Sequence, residues 1–204
     1  TIYLPLYFET VVGLSAANSG LGLIPLTCGT VFGATSSGRA MGRLTHYKRV
    51  PVAGLSLALV GTAVLIAYGD RLPLWAFGLV LALISVGFGM LLPVATVSIQ
   101  NAVPMHQLGT VTGTANFFRQ IGGALIVAIF GAIVLGGLGA SGPGLSAETL
   151  KAGGVDRATM VGLFRYVFAA SFAGFALALL FLLRMKELPL RGSAIAAAKE
   201  VGGE

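Results

Sequence analysis

Charged residues fall at wide intervals along this chain, and the stretches between them are apolar. There are 29 uncharged residues between Glu9 and Arg39, 20 between Arg49 and Asp70, and 47 between Arg71 and Arg119. A further 28 separate Arg119 from Glu148, and 18 separate Arg165 from Arg184. A helix crosses ~30 Å of hydrocarbon with about 20 residues. The longest stretch is enough for two crossings. It is interrupted by Gln100-Asn101-Ala102-Val103-Pro104-Met105-His106-Gln107, where Pro104 removes a backbone donor and turns Val103 away from helix. The pattern predicts six spans, at 1–14, 19–39, 51–69, 73–99, 108–137 and 161–183, and a tail at 184–204. The first is short, since fourteen helical residues rise only ~21 Å. With no initiator Met, the expectation is a chain that starts inside a helix and is a piece of a longer one or a truncated reading frame. Ten-residue segments of strict alternation, the mark of a membrane β-barrel, are absent. The expected fold class is an all-α transmembrane six-helix bundle with its first helix truncated.

Composition agrees with the pattern. Hydrophobic residues make up 56% of the chain and charged residues 10%, with a mean hydropathy of +0.91. So few charges cannot coat a soluble globule. Cys28 is the sole cysteine, which excludes a disulfide scaffold. A net charge of +6 invites a nucleic-acid reading, but the placement of the basic residues favours topology. Arg39, Arg43, Lys48 and Arg49 lie between the second and third spans, and Arg184, Lys186, Arg191 and Lys199 lie in the tail. With six spans these eight share one side. Arg71, Lys151, Arg157 and Arg165 share the other. The positive-inside rule then puts the eight-residue side and the C-terminus in the cytoplasm. Membrane lipid, not nucleic acid, is the expected partner of this charge.

Glycine supplies 30 of the 204 residues, about twice the usual ~7%. Lipid offers no hydrophobic force between helices, so close approach through small residues does much of the work. Five stripes have the spacing for it: Gly29/Gly33, Gly38/Gly42, Gly109/Gly113, Ala124/Ala128/Ala132 and Ala170/Gly174/Ala178. Pro5, Pro25 and Pro93 fall inside the expected spans and permit kinks. Gly87, Gly89 and Pro93 stand close together, so the fourth span is the one expected to bend. A static kink and a hinge for alternating access both fit.

Arg119 is the most informative residue. Counted from Leu108, it lies ~16 Å into the fifth span, near the middle of the hydrocarbon. Arginine there costs about 2.5–3.5 kcal/mol on insertion scales. Thr112, Asn116, Arg119, Gln120 and Gly123 share one helix face, opposite Val111, Phe118, Leu125 and Ile129. Lipid cannot satisfy that polar face. A substrate cavity or gate would satisfy it, and so would a structural interhelical bond. Glu9 is the one carboxylate within an expected span. It reads as a boundary acid or a proton carrier. His46, His106 and Cys28 are scattered and form no metal set. No nucleophile elbow, phosphate-binding loop or dinucleotide fingerprint occurs, so no enzyme is expected.

Several segments together are characteristic. They are Tyr3-Leu4-Pro5-Leu6-Tyr7-Phe8, Ser19-Gly20-Leu21-Gly22-Leu23-Ile24-Pro25, Ser37-Gly38-Arg39-Ala40-Met41-Gly42-Arg43, Gln100 to Pro104, and Phe117-Phe118-Arg119-Gln120-Ile121-Gly122-Gly123. The series resembles the C-terminal half of a major facilitator superfamily transporter, and more narrowly the fourteen-spanner branch of the drug:proton antiporters. The resemblance covers residues 1 to about 137. It implies a second six-helix bundle whose N-terminal partner half lies elsewhere in the same polypeptide. It also implies expulsion of amphipathic small molecules, driven by a proton gradient with no cofactor, across a bacterial inner membrane. Gly38, Arg39, Gly42 and Arg43 match the second-half copy of the family's cytoplasmic loop motif. That copy is degenerate, because Gly42 stands where the full motif has Asp and Thr45 where it has Gly. Asn116, Phe117, Arg119, Gln120 and Glu9 are the residues expected at the substrate cavity or gate. The family's proton-carrying carboxylates are expected in the other half. The rival expectation is a non-transporting accessory protein derived from a transporter half.

Overall fold

The computed structural model describes residues 3–42, 46–140, 157–185 and 187. Every regular element among them is helical. The first, α1 (Tyr3–Tyr7), runs into a π-helical turn at Phe8–Val12, closed by Gly13 at φ 79°. Only glycine takes that left-handed conformation without strain. A short α2 (Ala16–Leu21) follows, with the Ser15 hydroxyl accepting from the Asn18 amide, an ordinary N-cap. Next come α3 (Ile24–Met41), α4 (Arg49–Tyr68), α5 (Leu74–Asn101), α6 (Leu108–Ala140) and α7 (Arg157–Arg184).

Proline sets where these helices begin. Pro25 and Pro51 lie in the first turns of α3 and α4, and Pro73 immediately precedes α5. Pro104 precedes the 3₁₀ turn Met105–Gln107 that leads into α6. First-turn amides have no helical partner, so a missing N–H costs nothing there. This corrects the expectation for Pro25, which starts a helix instead of kinking one. The cause is the Gly20-Leu21-Gly22-Leu23 segment. It ends α2 and splits the span expected from residue 19. Among the described prolines, Pro93 alone stands in the interior of a long helix, and α5 runs through it.

Among the described residues, four helices, α4 to α7, are long and apolar enough to cross a membrane. The 18-residue α3 is not among them, being rich in Thr and Ser. The best-packed region is α3 and α4 against α5. Gly29 and Gly33 lie against the backbone of Ala82 and Val86. One turn on, the buried Ser37 hydroxyl donates to the Met90 carbonyl at 2.8 Å. On the other flank of α5, Gly54 and Gly87 lie backbone to backbone, and Gly61 receives Ile84. Gly89 meets the Thr30 carbonyl. A Cβ at any of these positions would collide with its neighbour.

An aromatic cluster ties α1 to α4, α5 and α7. Tyr7 stacks on Phe77 at 4.9 Å and meets Phe164 edge-on at 5.0 Å. Its hydroxyl donates to the Gly69 carbonyl at 3.0 Å. Phe8 and Phe164 are fully buried beside it. Each such ring pair adds about 0.5–1.5 kcal/mol to the burial itself.

Of the five small-residue stripes, Gly29/Gly33 is the one that receives a neighbouring backbone. Added Cβ atoms at Gly38, Gly109, Gly113 and Gly174 would meet nothing within 4 Å, and one at Gly42 only its own Arg39 carbonyl at 3.8 Å. Ala124, Ala128 and Ala132 are exposed. Among the described residues, close packing of a glycine stripe is seen at Gly29/Gly33. Spacing makes a groove, but a second helix must lie in it.

Candidate functional site

The candidate residues on α6 gather on a helix that its own chain scarcely covers. α6 begins at Leu108, so Arg119 lies eleven residues in, about 16 Å along the axis. Asn116, Phe117, Arg119 and Gln120 are all exposed, and no described residue pairs with the guanidinium. The opposite face is also bare, with Phe118 66% and Leu125 58% exposed. α6 is held at its start and along its second half. At the start, the Gln100 amide of α5 donates to the Thr112 hydroxyl at 3.2 Å. Farther on, the Tyr3 hydroxyl donates to the Val127 carbonyl at 3.0 Å, and its ring meets Phe130 edge-on at 6.1 Å. Beyond that, Val134 is buried and Gly137 lies against Leu163 of α7. The stretch between the Thr112 and Val127 contacts, which carries the candidate residues, touches little else.

Gln100 enters this group from the structure. From sequence it is a polar residue closing a helix. Only the pairing of the end of α5 with the start of α6 brings it to Thr112.

Glu9 is exposed on the π-helical turn. It is not brought together with Arg119. Tyr3 meets α6 near Val127, and from that level Glu9 lies toward one end of the bundle and Arg119 toward the other. Six residues of α1 and eight of α6 amount to an axial separation on the order of 20 Å.

The loop-motif residues sit at the end of α3. Gly38 and Arg39 are exposed in its last turns and Gly42 caps it. Arg39 pairs with no described residue, and Arg43 lies outside the described residues. The third group, Gly87, Gly89 and Pro93, follows α5 at the centre of the packing. Gly87 faces Gly54 of α4, and Gly89 faces Thr30 of α3. At these two positions the glycines admit a neighbouring backbone.

The basic residues also have a spatial arrangement. Lys48, before α4, reaches the carbonyls of Leu183 and Met185 at the end of α7. Arg39, Lys48, Arg49 and Arg184 therefore stand at one end of the bundle, and Arg71, between α4 and α5, stands at the other. Arg43, Lys186, Arg191 and Lys199, counted with the first group, and Lys151, counted with the second, lie outside the described residues.

Residues 1–127 match the model of the Major Facilitator Superfamily. An uncharacterized MFS-type transporter of Mycobacterium tuberculosis is 32% identical over 131 residues, which is 64% of this chain and 19% of that protein. The tetracycline resistance determinant of Streptomyces rimosus is 30% identical over 139 residues, 66% of this chain and 40% of its own length. The multidrug transporter protein MdtP of Bacillus subtilis is 26% identical over 136 residues, 65% of this chain and 24% of its own. The chain thus spans about a fifth to two fifths of the length of these relatives. No solved structure gives a significant match. The family match covers α1 to α5 and most of α6, including the whole polar face, and with four membrane-length apolar helices it makes this a multi-pass membrane protein that belongs to the Major Facilitator Superfamily.

Proposed function

We propose that the chain is part of a secondary transporter that expels amphipathic small molecules, drugs among them, in exchange for protons by alternating access. The observation that carries this reading is the polar face of α6. Asn116, Arg119 and Gln120 are exposed about a third of the way along the 33-residue α6, a membrane-length helix, and no described part of the chain covers them. Hydrocarbon cannot satisfy a guanidinium at that depth. The face therefore looks onto protein or water, and in this reading it borders the substrate path between this bundle and the N-terminal half of the same polypeptide. Two relatives are named for tetracycline resistance and multidrug transport, which supports a drug-like substrate. The basic end lies in the cytoplasm by the positive-inside rule, and the setting is a bacterial plasma membrane. The energy source is the proton gradient. The fourteen-spanner branch remains the narrower assignment that this reading favours.

The test uses the intact protein in a drug-sensitive host loaded with a cationic dye. Efflux is expected, and an uncoupler should abolish it. Arg119→Ala should slow efflux by about tenfold or more, a loss of roughly 1.4 kcal/mol. Arg119→Lys should retain part of the rate, since it keeps the charge without the planar fork. Efflux that survives uncoupling would remove proton coupling. Full activity in Arg119→Ala would remove the site assignment.

A further inference from the structure

At the basic end of the bundle, two residues 139 positions apart bond to each other's helix ends. The α4 N-terminus has no acidic residue in its first turn and no side-chain cap of its own. The Arg49 and Val50 amides turn back to the His46 and Tyr47 carbonyls, Pro51 has no amide hydrogen, and the Val52 amide reaches the Lys48 carbonyl. The Lys48 amide instead donates to Oε1 of Glu187, three residues past the end of α7, at 3.0 Å. The Lys48 side chain runs the other way. Its Nζ donates to the Leu183 carbonyl at 2.8 Å and to the Met185 carbonyl at 2.6 Å. Those carbonyls belong to the last turn of α7 and the residue after it, where helical partners run out. The adjoining Tyr47 is buried with Met41 and Val94, which fixes the approach of Lys48.

We propose that Lys48 and Glu187 form a two-way clasp that caps α4 and α7 reciprocally and makes their basic ends a single mechanical unit. A carboxylate sits where α4 presents amides and partial positive charge. An ammonium sits where α7 presents carbonyls and partial negative charge. Each charge thus complements the dipole of the opposite helix. Charge-assisted bonds to backbone are among the stronger hydrogen bonds. The segment joining α3 to α4 is thereby tethered at its far end to α7, so any rocking of this bundle must carry α4 and α7 together at this end. This device stands on hydrogen-bond geometry and holds whatever the transporter moves.

The clasp differs from an ion pair in a way an experiment can read. Each charge serves backbone groups, so exchanging the two residues should fail. Hydrogen exchange is followed in the intact protein in lipid nanodiscs, on peptides covering 46–52 and 183–187. Glu187→Ala should speed exchange in 46–52 by about three- to tenfold, and Lys48→Met should do the same in 183–187, the scale expected of a lost cap. The swap K48E/E187K should speed both peptides beyond either single variant and lower the thermal midpoint further. It would set a carboxylate against carbonyls and an ammonium against an amide. Restoration of native exchange by the swap would show a simple ion pair and overturn the clasp. Unchanged exchange in Glu187→Ala would overturn it as well.

Discussion

Gly33 and Gly38 stand five residues apart on α3 and would answer an added methyl group in opposite ways. A Cβ at Gly33 would run into the backbone of Val86, which can yield only if α3 and α5 separate. A Cβ at Gly38 meets nothing within 4 Å, and alanine is the better helix former. Gly33→Ala should therefore destabilise the protein by about 1–3 kcal/mol, the usual cost of overpacking. Gly38→Ala should leave stability unchanged or raise it. The thermal midpoints of the two variants in detergent would check the contrast. Both glycines belong to stripes with the same four-residue spacing, so sequence ranks them equally. Only the position of α5 tells them apart.

At the scale of elements, α6 differs from its neighbours. α4 and α5 bury substantial faces within the bundle, whereas only 6% of the apolar window of α6 is buried. Its periodicity marks a polar face and an apolar face, and that much was legible from sequence. Exposure does not rank the two, because Asn116 and Phe118 are both bare. Chemistry ranks them. The face with Asn116, Arg119 and Gln120 needs water or protein, and the face with Phe118 and Leu125 is content in lipid. In a variant with Cys28 replaced by Ser, a cysteine at position 116 should react with a charged, membrane-impermeant thiol reagent in the intact protein. A cysteine at 118, at nearly the same depth, should stay unlabelled. Equal labelling would mean that the face does not border a water-filled path. The clasp between α4 and α7 lies beyond any such periodicity. In sequence Lys48 is one of four basic residues between two spans and nothing singles out Glu187, until the fold sets the two helix ends side by side.

For the whole molecule, the charge distribution gives the testable orientation. The ends of α3 and α7 and the start of α4 meet at one end of the bundle, so the basic residues of two distant segments are neighbours. The positive-inside rule acts on this sum. A fluorescent protein fused after residue 204 should mature and fluoresce in the cytoplasm, and a phosphatase fused there should be inactive. The same phosphatase inserted at Asp70, between α4 and α5, should be active. The reversed pattern would invert the proposed orientation. The net charge of +6 is in this view mainly a property of topology, and Arg119 on α6 and Arg165, eight residues into α7, are the arginines set inside membrane-length helices.

Sequence by itself determined that this chain is helical and membrane-embedded, where its uncharged stretches run, and which residues on α6 share a polar face. Those are local properties. Hydropathy follows from a window of residues, and a helix face follows from a period of 3.6. Tertiary structure decided which small-residue stripe is a seam, that Gly22 and Leu23 divide α2 from α3, and that α6 is left largely uncovered. It also decided that Gln100 reaches Thr112 and that Lys48 reaches across to α7. Each of these depends on what lies opposite. Lipid is as apolar as a leucine side chain, so hydrophobicity does not choose between neighbouring helices and lipid. The choice is made by close fit and by a few hydrogen bonds. These belong to pairs of helices, and no single helix encodes them.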